Sequence, residues 1–163
     1  MANINRTDVK ITASSKVIDF LYEKFENMND GNYPNEKDTP HIADVFGAKA
    51  ELYIDKIGSK WVTIYNYETN SDTQFEVSFE SAWYPPSDLL KEMHRQLVAM
   101  DPDVIFTARY WDEAYDPIGV LKITRSGIYL TEESFSIEED DREYFWDDVI
   151  DPAFIVLEEK LGI

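Results

Sequence analysis

Cysteine is absent from this sequence, which excludes disulfide scaffolds, thiol nucleophiles and thiolate metal sites. Histidine is nearly as scarce: His41 and His94 are the two present, and a zinc site would need its remaining ligands from carboxylates alone. Neither has a spaced partner that completes a triad, and His94 is expected at a surface or flanking position of its helix. The six glycines, Gly31, Gly47, Gly58, Gly119, Gly127 and Gly162, stand singly, so no glycine-rich loop is available to cradle phosphate. No apolar run approaches the ~20 residues of a membrane span. The opening Met1-Ala2-Asn3-Ile4-Asn5-Arg6 lacks the apolar stretch of a signal peptide. The expectation is a cytoplasmic protein with no cofactor, no catalytic residue and no metal.

Basic residues are also few: 15 stand against 33 acidic ones, a net charge of −18 and a pI near 4.3. Direct nucleic-acid binding is disfavoured, because phosphate contacts need a basic footprint. The imbalance is uneven. Residues 101–163 hold 17 acids and 5 bases, and residues 1–100 hold 16 and 10. Aromatic residues make up 14% and hydrophobic residues 44% of the 163 positions, so this is not a disordered acidic tail. The length suits one domain spanning residues 1–163.

Alternation of Val9 and Ile11 with Asp8, Lys10 and Thr12 predicts a strand over Thr7 to Ala13. Ser14 and Ser15 then cap a helix carrying Val17, Ile18, Leu21, Phe25 and Met28. A proline-containing loop, with Pro34 and Pro40, follows. Strands are expected over Trp61 to Tyr67 and Gln74 to Trp83, the second with Phe75, Val77, Phe79 and Trp83 on one face. Pro85-Pro86-Ser87 ends that strand and opens a helix with a stripe of Leu89, Leu90, Met93, Leu97 and Met100. Val104 to Trp111 reads as a strand, and Ile118 to Thr124 with Ile128 to Thr131 as a hairpin turned at Arg125-Ser126-Gly127. A capping box at Ser136 and Glu139 opens a helix with Tyr144, Phe145, Val149 and Ile150. Asp151-Pro152 restarts it, with Phe154, Ile155, Leu157 and Leu161 facing the sheet. The order βαββαβ is that of an α+β, ferredoxin-like split βαβ antiparallel sheet, with an added hairpin and an acidic C-terminal helical extension at about residues 136–163.

The segment Phe79-Glu80-Ser81-Ala82-Trp83-Tyr84-Pro85-Pro86, the helix after it, then Asp101-Pro102 and Phe106-Thr107-Ala108-Arg109-Tyr110-Trp111, resembles the YubB-type ferredoxin-like proteins of phages and plasmids. About a third of the chain carries the likeness. Members often read Asn-Trp-Cys near the N-terminus, where this chain has Asn3-Ile4-Asn5. The resemblance implies a mobile-element origin and an accessory role, and brings no catalytic residue with it.

The acidic C-terminal third carries the functional expectation. Glu132, Glu133, Glu138, Glu139, Asp140, Asp141, Glu143, Asp147 and Asp148 lie around Trp146, with Arg142 the single base between Glu132 and Asp151. On a helix Glu139, Glu143 and Asp147 stack at successive turns, where like charges repel by a few tenths of a kcal/mol per pair. Duplex mimicry is one gain that offsets this. Residues 139–148 would place six carboxylates along ~15 Å, where DNA presents about nine charges. Glu132, Glu133, Asp112, Glu113 and Asp116 must then contribute, or a homodimer must double the stripe. A partner with a basic surface, such as a nucleic-acid-binding host protein, is the expected target. Two alternatives stand beside it: a carboxylate enzyme using a divalent cation at Asp112, Glu113 and Asp116, and a self-assembling structural protein.

Overall fold

The computed structural model describes residues 3–29, 62–134 and 146–163. In chain order these form β1 (Ile4–Thr12), α1 (Ser15–Asn29), β2 (Thr63–Ser71), β3 (Gln74–Ala82), α2 (Ser87–Val98), β4 (Ile105–Asp112), β5 (Ile118–Thr124), β6 (Gly127–Glu133), a π-helical turn (Trp146–Ile150) and α3 (Asp151–Lys160). The fold is mixed α+β, with three α-helices among the described residues and an open six-stranded sheet of order β2-β3-β1-β4-β5-β6. Every neighbouring pair is antiparallel.

The period of two in the strands decides which residues meet which helix. Val9 and Ile11 of β1, Phe75, Val77 and Phe79 of β3, Phe106, Ala108 and Tyr110 of β4, and Leu121 and Ile123 of β5 all turn to one face. There they pack with Val17, Leu21 and Phe25 of α1 and Leu89, Leu90, Met93 and Leu97 of α2. Phe25 and Phe75 meet with ring centroids 5.0 Å apart. Each such side chain contributes about 1.5–3 kcal/mol by leaving water, so this layer dominates the stability. Asp101 ties its two helices together at one corner: its carboxylate accepts from the Ser14 N–H at 2.7 Å and the Asp103 N–H at 2.9 Å.

The opposite face is covered unevenly. Ile118 and Val120 of β5 form a second core with Ile150, Phe154 and Leu157, flanked by Trp111, Tyr115 and Trp146. Arg109 fastens α3 to β4, donating from Nε and Nη2 to both Glu158 oxygens at 2.7 and 2.9 Å and from Nη1 to Asp151 at 2.8 Å. Its guanidinium also lies 5.2 Å from the centroid of Phe154. Toward β1 and β3 the same face is polar, and register sets Arg6 opposite Glu80 and Lys10 opposite Glu76. These pairs close to 3.4 and 3.6 Å.

Several expectations are corrected by these contacts. The first strand begins at Ile4, not Thr7, because Asn5 and Thr7 take buried positions by bonding each other at 3.0 Å. The second strand runs from Thr63 to Ser71, with register shifts between Ile64 and Asn66 and between Thr69 and Ser71. Trp83 does not continue the buried face of β3; it lies beyond the strand end and is 46% exposed. Ile155 points away from the sheet, while Phe154 and Leu157 are buried. His94 is inside rather than at the surface, with Nε2 3.0 Å from the Val104 carbonyl oxygen and its ring edge-on to Phe106. The proline-containing loop, Trp61 and the Ser136–Glu139 capping box lie outside the described residues.

Candidate functional site

One end of the sheet gathers the described acids that the sequence spreads over three segments. The register explains how. Ile118 stands opposite both Trp111 of β4 and Glu133 of β6, so the loop after β4, the end of β6 and the start of β5 share this end. The π-helical turn joins them through rings: Trp146 lies 5.0 Å from Trp111 and 5.8 Å from Tyr115, centroid to centroid. Glu113, Asp116, Glu133, Asp147 and Asp148 are exposed around this aromatic packing.

The same end carries exposed apolar surface. Ile4 opens β1 opposite Ala82, and Trp83 donates its N–H to the Asn3 carbonyl at 2.9 Å. Ile4, Trp83 and Tyr84 are 41%, 46% and 64% exposed. The turn presenting them is pinned from beneath by Ser81, whose hydroxyl donates to the Tyr84 carbonyl at 2.7 Å, and by buried Pro85 and Pro86. Trp83 has φ +65° and Tyr115 has φ +56°. These are the two non-glycine residues with positive φ among the described residues, and both stand at this end. For a bulky aromatic such backbone costs about 1–3 kcal/mol and persists only where its surroundings hold it.

The candidate partner-binding acids divide by role. Asp112 is buried, and its carboxylate accepts from the N–H groups of Ala114 and Asp116 at 2.9 Å each and from Asn3 Nδ2 at 3.3 Å. It organises the loop. Glu132 accepts a short hydrogen bond from the Tyr110 hydroxyl, and burial followed by this bond raises the Tyr110 phenol well above its ordinary range. Trp146 is half-buried in the second core. Glu113, Asp116, Glu133, Asp147 and Asp148 remain outward. Glu138, Glu139, Asp140, Asp141 and Glu143 lie outside the described residues. Among the described residues no three His, Cys, Asp or Glu side chains group as a metal ion would require, and no helix is long and apolar enough to cross a membrane.

Among the described residues, Arg6 and Arg109 are already engaged, Arg6 with Glu80 and Arg109 with Asp151 and Glu158. Sequence reasoning located the acids and missed Ile4, Trp83 and Tyr84 as exposed companions. The Trp83-Tyr84-Pro85-Pro86 run was the available signal, since a strand cannot continue through two prolines and must release its last aromatics before them.

No family model and no curated protein matches the chain. Among solved structures it is similar to protein api92 from Yersinia pseudotuberculosis, described with the family model DUF1281, at 18% identity and a TM-score of 0.40. The match covers 54% of this chain and 30% of that protein.

Proposed function

We propose that this chain is a non-enzymatic accessory protein that binds a basic partner protein, of the kind that itself binds nucleic acid, through the acidic and aromatic end of its sheet. The observation that carries this reading is the convergence at one end of outward Glu113, Asp116, Glu133, Asp147 and Asp148 with half-exposed Trp83 and Tyr84. Aromatic side chains ringed by charge are the composition of interface hot spots. A field of one sign accelerates encounter with a cationic partner, and that gain falls once salt shortens the Debye length to about 8 Å. Occupying a nucleic-acid-binding surface would inhibit the partner, and the acids would then stand in for phosphates.

The strand order β2-β3-β1-β4, with α1 and α2 on one face, supports a ferredoxin-like core extended by the β5–β6 hairpin. Within that reading the chain is a cytoplasmic, mobile-element protein of the YubB-like type, as the resemblance carried by Phe79 to Trp111 implies.

Capture of partners from host lysate at low salt tests the proposal. A basic protein is expected, released as salt rises. Exchanging Glu113→Gln, Asp116→Asn, Asp147→Asn and Asp148→Asn together, or Trp83→Ala alone, is expected to weaken capture at least tenfold, which is about 1.4 kcal/mol. Capture indifferent to both variants would overturn the reading.

A further inference from the structure

The outermost strand, β6, reads Gly127-Ile128-Tyr129-Leu130-Thr131-Glu132-Glu133 and pairs with β5 alone among the described residues. Ile128, Tyr129 and Leu130 are 44%, 45% and 48% exposed. Natural sheet edges are usually interrupted by bulges, proline or inward charge, because a regular apolar edge is a template for another strand. Here the register runs without a shift from Ile118 opposite Glu133 to Thr124 opposite Gly127.

The backbone of this edge is self-complementary. The Arg125-Ser126 turn closes on Thr124 opposite Gly127, and two-residue hairpins close on a hydrogen-bonded pair. Alternation from that pair directs the N–H and C=O of Ile128, Leu130 and Glu132 away from β5. A second copy related by a two-fold axis through Leu130 sets Leu130 against itself and Ile128 against Glu132 of that copy. All three are outward-directed positions, so donors meet acceptors throughout. On the other face Tyr129 meets Thr131, an aromatic and β-branched pair of the kind that stabilises sheets.

Charge follows the same symmetry. Glu132 and Glu133 end the strand, whereas Arg125 precedes it and Lys122 and Lys160 line a hollow beside Tyr129. Arg125 and Lys160 carry no ion pair among the described residues. Antiparallel pairing brings the acidic end of each copy to the basic end of the other. We infer that β6 is the pairing edge of a two-fold homodimer in which the two sheets join into one.

Sedimentation of the full chain from about 1 μM to about 300 μM tests this, since dimerisation follows mass action. A concentration-dependent dimer is expected. Leu130→Lys, at a half-exposed site that leaves the core intact, is expected to raise its dissociation constant at least tenfold. Arg125→Glu weakens the dimer as well, and adding Glu133→Arg restores it. A monomer across the whole range, or a dimer unmoved by Leu130→Lys with an unchanged circular dichroism spectrum, would overturn the inference. Slower amide exchange at Ile128, Leu130 and Glu132 with rising concentration is the independent readout, and exchange that ignores concentration overturns it too. Leu130→Lys touches neither Trp83 nor Asp147, so loss of self-association with partner capture intact separates this inference from the proposed function.

Discussion

A methyl group at position 119 would collide with Cζ and Oη of the Tyr110 ring. Tyr110, Gly119 and Glu132 lie abreast on β4, β5 and β6, so the ring reaches Glu132 by crossing the space a side chain would fill. Gly119→Ala is expected to displace the ring, break the bond to Glu132 and destabilise the chain by about 1–3 kcal/mol, as overpacking does; urea unfolding measures it. The Tyr110 phenol titrates above its ordinary 10.0, burial being the larger cause. A group with a raised folded value contributes stability that is complete below the unfolded value and lost as pH climbs above it. Tyr110→Phe should therefore flatten the alkaline limb of the stability curve above pH 10.0, read by circular dichroism. Asp101 has the opposite sign: the Ser14 N–H, then the Asp103 N–H, lower it from 3.8. Its contribution is present above that ordinary value and vanishes as pH falls through the lowered one, so Asp101→Asn should flatten the acid limb of the stability curve. His94 stands four residues after Leu90 and three before Leu97, on the buried stripe of α2; its polar type hid its burial, because the carbonyl that satisfies it belongs to Val104, beyond the end of α2.

Among elements, α3 depends most on a single side chain. Arg109 bonds Glu158 twice and Asp151 once while half-buried. Charge-assisted bidentate pairs exceed exposed ones, so Arg109→Ala should cost about 1–2 kcal/mol. Amide exchange over residues 151–160 should rise before that of the sheet. The strands were largely legible because their alternation is strict, most clearly in β3 and β4. The first half of β1 was hidden because Asn5 and Thr7 occupy its inward positions, and polar side chains do not announce burial. The facing of α3 was ambiguous for the converse reason. Phe154, Ile155, Val156 and Leu157 are consecutive and apolar, so no period distinguishes the buried pair from the exposed one.

At the scale of the molecule, the sequence located the acid and could not show its convergence. Glu113, Glu133 and Asp147 come to one end only through the register of β4, β5 and β6 and the packing of Trp146. The left-handed backbone of Trp83 and Tyr115 has no signature in residue type, since neither is glycine, asparagine or aspartate. The expected pairing of acids with an exposed aromatic anchor predicts that association with a cationic protein slows as ionic strength rises, while dissociation is set by Trp83; stopped-flow mixing separates the two. The hairpin adds an asymmetry to this. With Arg125 and Lys160 at the tip and Glu132 and Glu133 at the far end of the same strands, the β5–β6 edge is an electric dipole. A cationic neighbour exerts a torque on it before any atoms touch, so collisions arrive already turned, and fewer of them are wasted.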